Sequence, residues 1–288
     1  MPKSVSVEPK PACIHDAGLT AVGWEGEFCP MAYVREDHLG DLLSAGLVLA
    51  PANRFGLHRF HPGLTSGSEA EASFQAIAWS WYQQGRLPAW RNECFDLYSP
   101  GSTTARFKLE RVAARHLGFW TEAVHVNGIA SAGQSMWLAR RSMHKDSDPG
   151  LLDNMVAGGL SAGESIEQCL WRECWEEAGL LADGPNAAAL RAGLKALKPI
   201  HMQCLEGLDS AWPHLRRERL YVFSLGLASD LAPSNQDGEV SEYLCVDRAQ
   251  LRRLIAANAL TSDAALVAGL WLEPTSEGAE SLGDKVFA

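Results

Sequence analysis

The chain has 288 residues, 47% hydrophobic and 21% charged, with 25 Lys/Arg against 35 Asp/Glu and a formal net charge of −10. That length buries one large core or two modest ones, and two is the better expectation. The acidic balance excludes the basic face that nucleic acid or an anionic membrane surface needs.

The N-terminal stretch MPKSVSVEPKPACIHDAG has no apolar centre of the kind a signal peptide carries, and residues 1–25 read as an irregular lead-in. Leu39, Leu42, Leu43 and Leu47 form one stripe at helical spacing over 37–50. A Gly/Ser/His/Pro-rich loop over 51–67 follows, and Ser68 can cap a helix through about residue 84 that carries Phe74, Ile77, Trp81 and Tyr82. A strand is expected near 93–98, a Pro100–Gly101 turn after it, and a helix near 106–117 that stops at Gly118. The pattern then changes. AVHVNGIA and SMWLARR read as strands, followed by a polar loop, the segment DNMVAGGL and a helix over Ile166–Ala178. Strands over 200–205 and 219–227 flank a charged loop, and an acidic turn (Gln236-Asp237-Gly238-Glu239) leads into SEYLCV and a helix near 248–257. No apolar run reaches the ~20 residues of a membrane span. The seven cysteines are scattered without a C-x-x-C pair, which fits free thiols in a reducing cytoplasm, the expected location.

One segment carries chemistry: Gly158 to Leu180, GGLSAGESIEQCLWRECWEEAGL. Ser165 and Gln168 suit a capping box, and Gly179 suits a left-handed stop. At about 100° per residue, Ile166, Cys169, Leu170, Cys174 and Ala178 define the core-facing arc. Glu173 and Glu177 project within about 20° of Ile166, inside that arc, Glu176 sits at its edge, and Trp175 lies opposite. Carboxylates spaced i, i+3, i+4 repel one another, and semi-buried they require a compensating cation. A hard divalent ion such as Mg²⁺ answers that need. Periodicity alone leaves open an acidic helix neutralised by Arg172 and its neighbours.

The same residues match a known pattern. Gly158, Glu164, Arg172, Glu173, Cys174, Glu176, Glu177, Gly179 and Leu180 fill G-x5-E-x7-R-E-U-x-E-E-x-G-U, where U is apolar and Cys174 counts as such, so the segment resembles the Nudix box. The resemblance implies an α/β/α sandwich with a mixed sheet over 121–288, preceded by a small α+β N-terminal domain over 1–120. It implies Mg²⁺ or Mn²⁺ as cofactor in hydrolysis of a phosphoanhydride. By position, Glu173, Glu176 and Glu177 match metal ligands, with the Ala157 carbonyl as a further one. Glu173 also matches the group acting on the attacking water, Arg172 the residue that holds the carboxylates, and Glu164 the residue that fixes the loop. A downstream acid is expected from Gln236–Glu242, with Glu239 favoured over Glu242 because Gly238 lets the loop turn back.

LERVAARHLGF, HVNG, LARRSMHKDSDPGLLDNMVAGG and NQDGEVSEY resemble a Nudix subgroup related to thiamine pyrophosphokinase-associated proteins. That implies a small-molecule diphosphate substrate, thiamine-diphosphate-like or an oxidised form, cut to the monophosphate. Arg141 and Lys145 are candidate diphosphate contacts, and ordinary surface cations are the plainer alternative. His125 and Asn127 share one face of a strand, where they line a pocket or satisfy a core hydrogen bond. Trp79, Trp81, Trp90 and Trp120 offer stacking platforms, although core packing suits most of them. The alternatives are a nucleoside diphosphate-linked hydrolase acting on ADP-ribose or a dinucleotide, and a non-catalytic ligand sensor. Pro199 does not stand at the spacing of ADP-ribose hydrolases, the zinc site of NADH-type members is missing, and the box is whole with no basic helix-turn-helix. Oligomeric state is left open, a homodimer included.

Overall fold

The computed structural model describes residues 5–7, 17–27, 29–51, 57–99, 102–130, 133–145, 147–207 and 212–272. The expected Pro100–Gly101 turn lies outside them.

The N-terminal elements are β1 (Val5–Val7), β2 (Leu19–Gly23), β3 (Ala32–Arg35), α1 (Glu36–Ser44), β4 (Val48–Leu49), β5 (His58–Phe60), α2 (Glu69–Gln83), β6 (Cys94–Tyr98), β7 (Ala105–Glu110) and α3 (Arg111–His116). Strands β3-β2-β5-β4 form one sheet and β6-β7 a hairpin. Phe60, Phe74, Trp81, Phe95, Phe107 and Phe119 meet in a core of their own beneath α2. Three expectations need correction. Pieces of the lead-in are strands, since β1 pairs in parallel with residues 200–202 and β2 with β3 and β5. The helix over 37–50 stops at Ser44, because Gly46 at φ +70° turns the chain and Val48 then pairs with Phe60. The helix over 106–117 is a strand and a short helix. Phe107 and Leu109 alternate into the core opposite Leu97 and Phe95, and the buried Glu110 carboxylate caps α3 by accepting from Val112 N–H and Ala113 N–H.

The remaining elements are β8 (Trp120–Ala130), β9 (Ser135–Arg141), β10 (Leu152–Asn154), β11 (Val156–Gly159), α4 (Ile166–Ala178), α5 (Ala187–Gly193), β12 (Leu194–Ala196), β13 (Ile200–Glu206), β14 (His214–Gly226), β15 (Val240–Asp247), α6 (Arg248–Ala256) and α7 (Ser262–Leu272). They build one mixed sheet in the order β1-β13-β14-β8-β9-β10, with β11 on β8, β12 on β14 and β15 on β9. Strand alternation sorts its two faces. Val124, Val126, Phe223 and Leu225 pack with Cys169, Leu170 and Cys174 of α4. Ala123, Leu220 and Val222 pack with Val267 of α7. The result is an α/β/α sandwich. Helix α7 was not expected, because SDAALVAGLWL is apolar on nearly all sides and shows no helical stripe. The charged loop ahead of residue 219 is in fact the first part of β14.

Arg217 ties the two regions together. It is 4% exposed and donates to Gly118 O (2.8 Å), Pro30 O (3.1 Å) and Met31 O. Burial pulls its pKa down to about 10, which leaves it charged at neutral pH. Arg217→Ala strands three carbonyl acceptors and is expected to cost about 3 kcal/mol of stability in urea unfolding. A loss below about 1 kcal/mol would mean that water replaces the guanidinium at no cost.

Candidate active site

Helix α4 starts at a capping box in which Ser165 accepts from Gln168 N–H and Gln168 accepts from Ser165 N–H, and it stops at Gly179 with φ +69°. This fixes its rotation. Cys169, Leu170, Cys174 and Ala178 are buried with Trp171, while Trp175 is 40% exposed. Glu173 and Glu177 are 8% and 5% exposed on the same side as the apolar residues.

Arg172 is the hub that makes this tolerable. Its Nε and Nη2 donate to the two oxygens of Glu164 (2.7 and 2.9 Å), and its Nη1 to Glu173 Oε1 (2.7 Å) and Glu176 Oε2 (3.0 Å). Glu164 also accepts from Ser161 N–H (3.1 Å), closing the loop before the helix, and the N-terminal region grips that loop through Glu93 to Ser161 Oγ (2.7 Å) and Asp96 to Gly163 N–H (2.6 Å). Glu177 Oε2 accepts from Ala157 N–H (2.8 Å), and its backbone carbonyl accepts from Tyr243 Oη–H. Within a strand the N–H and C=O of one residue point to the same edge. The Ala157 carbonyl is therefore turned toward the acids of α4. A Cβ on Gly158 would overlap the Glu173 carboxyl group.

Burial, and then the neighbouring Glu173, raise the Glu177 pKa against the pull of Lys145. Burial raises Glu173 as well, opposed by Arg172. Lys145 ion-pairs with Glu239 and stands 4.0 Å from Glu177 Oε1, and burial lowers its pKa. Glu242 faces Arg140 instead. The competitor acid therefore points away from Lys145, and Glu239 faces it. Among the described residues no three His, Cys, Asp or Glu side chains converge as a ready metal cage, since Arg172 and Lys145 occupy these oxygens. The donor set nevertheless fits a hard cation: carboxylate and carbonyl oxygens, two of the carboxylates desolvated, beside a glycine that leaves room.

A cavity of about 590 Å³ opens beside β11. Ala157, Gly158 and Gly159 form one wall, and Arg141, Lys145 and Glu239 another. The box acids are not on its wall; they are one contact away, through Ala157 and Gly158. His125 lines the cavity. Asn127 does not: its amide serves Val267 O (3.0 Å) and Asn154 (2.9 Å), the core hydrogen bond that the sequence left as its alternative. Arg141 reaches the cavity but is tied to Asp153 (2.9 Å) and Ser147 O (3.0 Å). Of the tryptophans considered as platforms, Trp81 is buried in the N-terminal core.

Sequence reasoning missed Asp153, Asp263, Glu206 and Arg216 in the walls. Arg216 joins Glu206 (2.6 Å), Glu218 (3.0 Å) and Asp263 (3.1 Å). Burial and then Asp263 raise the Asp153 pKa, whereas for Asp263 burial is outweighed by Arg216, which holds its carboxyl low. The adjacent Asp153 and Asn154 between Leu152 and Met155 were a legible signal. Asp263 gave none, because its helix was not foreseen.

A family model described as NUDIX domain matches residues 121–265. The chain is 34% identical over 185 residues to Nudix hydrolase 24, chloroplastic, of Arabidopsis thaliana, covering 62% of this chain and 47% of that protein. It is 34% identical over 177 residues to Nudix hydrolase 20, chloroplastic, of the same plant, covering 60% and 44%. The chain thus spans about half the length of the curated relatives it matches. The crystal structure of DR0079 from Deinococcus radiodurans is 22% identical with a TM-score of 0.48, covering 63% of this chain and all of that one.

Gly158→Ala should push the Glu173 carboxyl group aside. Displacement by about 1 Å is expected to lower phosphoanhydride turnover roughly 100-fold while the thermal unfolding midpoint changes little. Retained turnover would show that Glu173 has no fixed place in the site.

Proposed function

The chain belongs to the Nudix family, and from that premise we propose that it is a divalent-cation-dependent hydrolase of a small diphosphate, thiamine-diphosphate-like, which it cuts to the monophosphate. One observation carries the reading: two buried carboxylates, Glu173 and Glu177, share a strand edge with the Ala157 carbonyl beside a cavity of about 590 Å³. That volume suits a small molecule.

Glu176, Glu177 and the Ala157 carbonyl would hold Mg²⁺ or Mn²⁺ directly, and Glu173 through a water. When bound, the ion supplies charge neutralisation for the diphosphate oxygens. The residues do the rest. A water oxygen bonds to the terminal phosphorus, the bridging P–O bond breaks, and inorganic phosphate and the monophosphate separate. Glu173 Oε1 is engaged by Arg172, so Oε2 is the atom that receives the water proton. Arg172 and Glu164 keep that carboxylate from rotating. Lys145, already desolvated, exchanges Glu239 for a phosphate oxygen, and Arg141, held by Asp153, gives the wall its second positive charge. Glu239 takes part by orienting Lys145. We read residues 1–120 and 121–288 as two units, with Arg111, Arg115 and His116 of the first completing the cavity of the second.

The thiamine-like substrate rests on the resemblance carried by HVNG, the LARRSMHKDSDPG stretch and NQDGEVSEY. The test is a product-resolved panel of thiamine diphosphate, its oxidised derivatives, ADP-ribose, NADH and dinucleotide polyphosphates, with Mg²⁺, with Mn²⁺ and with chelator. Monophosphate and phosphate should appear from the thiamine compounds only with metal, and Glu177→Gln should abolish them. Activity confined to nucleotides removes the thiamine reading. Undiminished turnover by Glu177→Gln removes the assigned site. Tight binding without any turnover favours a ligand sensor.

A further inference from the structure

Three buried amide and imidazole groups form a chain whose polarity is set at one end. The Val267 carbonyl can only accept, so Asn127 turns its Nδ2 toward it (3.0 Å). Asn127 Oδ1 then accepts from Asn154 Nδ2 (2.9 Å), which leaves Asn154 Oδ1 as the acceptor facing His125 Nδ1 (2.8 Å). His125 Nδ1 must therefore carry a proton. Asn127 and Asn154 are each 1% exposed, so water does not offer the chain an alternative. His125 is 2% exposed and lines the cavity, and its other nitrogen, Nε2, is 3.9 Å from Asp263 Oδ2, beyond hydrogen-bond distance of it. A neutral imidazole with its proton on Nδ1 presents a lone pair at Nε2.

We propose that His125 Nε2 is a fixed hydrogen-bond acceptor that selects substrates whose organic part carries an N–H or O–H donor, an amino-substituted or lactam heterocycle, and that Asn127 and Asn154 are positioning residues that hold it so. The inference rests on the reading of the cavity as the substrate site. The neighbour of Nε2 reinforces it. Asp263, the carboxylate facing Nε2, adds a second acceptor beside it. Val267 supplies this anchor from α7, on the sheet face opposite α4, so the selecting group is set independently of the box helix.

The closing experiment has a substrate-free arm and a kinetic arm. In ¹⁵N-histidine NMR of the whole protein, His125 should show the Nδ1–H tautomer, and Asn127→Leu should release it into a mixture. An Nε2–H tautomer overturns the proposal, and so does an imidazolium protonated on both nitrogens and facing Asp263. In kinetics with Mg²⁺, His125→Phe should raise KM for thiamine diphosphate, whose pyrimidine carries an amine, about tenfold. The loss on methyl diphosphate, which has no such donor, should be distinctly smaller. His125→Gln, whose amide oxygen is an acceptor, should restore most of the difference. Equal losses on both compounds overturn the proposal, because His125 would then serve the phosphates or the fold. If the unaltered protein does not hydrolyse thiamine diphosphate, the thiamine reading fails. The tautomer then still decides the role of His125, and ADP-ribose, whose adenine also carries an amine, replaces thiamine diphosphate in the kinetic arm.

Discussion

Burying two carboxylates on the core side of one helix is the condition around which the site is organised. Glu173 and Glu177 sit among Cys169, Leu170 and Cys174, where an unpaired anion costs several kcal/mol. Arg172 answers part of that cost by giving one guanidinium to three carboxylates, and Ala157 N–H and Lys145 answer for Glu177. Such a geometry tolerates little error. The capping box, the left-handed stop at Gly179 and the absence of a side chain at Gly158 all fix where those oxygens lie.

The second constraint is the free edge of β11. Its Val156–Gly159 ladder pairs with β8 on one side only, and the backbone of Ala157 on the other side meets Glu177. Ala157 is opposite His125 in the register, and directly opposed residues share a face. One residue thus joins the acids of α4, reached through its backbone, to the cavity wall that His125 occupies. This is how a helix packed on one face of the sheet acts on a cavity lined by residues of the other.

The sequence made α4 legible in detail because a capping box, a stop glycine and a helical stripe are all local. The same holds for β8 and β9, whose runs of apolar, β-branched and aromatic residues are local too. It failed where partners are remote in sequence. Phe107 and Leu109 read as helix until Leu97 and Phe95 are placed opposite them. Beyond Ser262 and Asp263, α7 is apolar on all sides and has no period to detect. Glu239 could be favoured from Gly238, but its separation from Glu242 depends on Lys145 lying on one side and Arg140 on the other. The relay from Val267 to His125 spans about 140 residues, and no local pattern announces it.

The stretch His214–Glu218 shows what a charged sequence conceals. Read as a loop, HLRRE would be a solvated run; as the start of β14 its residues alternate. His214, Arg216 and Glu218 line the cavity, and the intervening Arg217 turns the other way, to Gly118 O, Pro30 O and Met31 O. Arg115 of α3 closes the arrangement on Glu218 (2.9 Å), and His116 stacks on His214 with ring centroids 4.2 Å apart. One strand therefore anchors the N-terminal region and presents the cavity wall with alternate side chains. A displacement of that region would draw Arg115 and His116 away from the cavity and shift the strand that carries Arg216. The geometry of the cavity is thus coupled to how α3 is seated, even though the box itself lies wholly outside that helix.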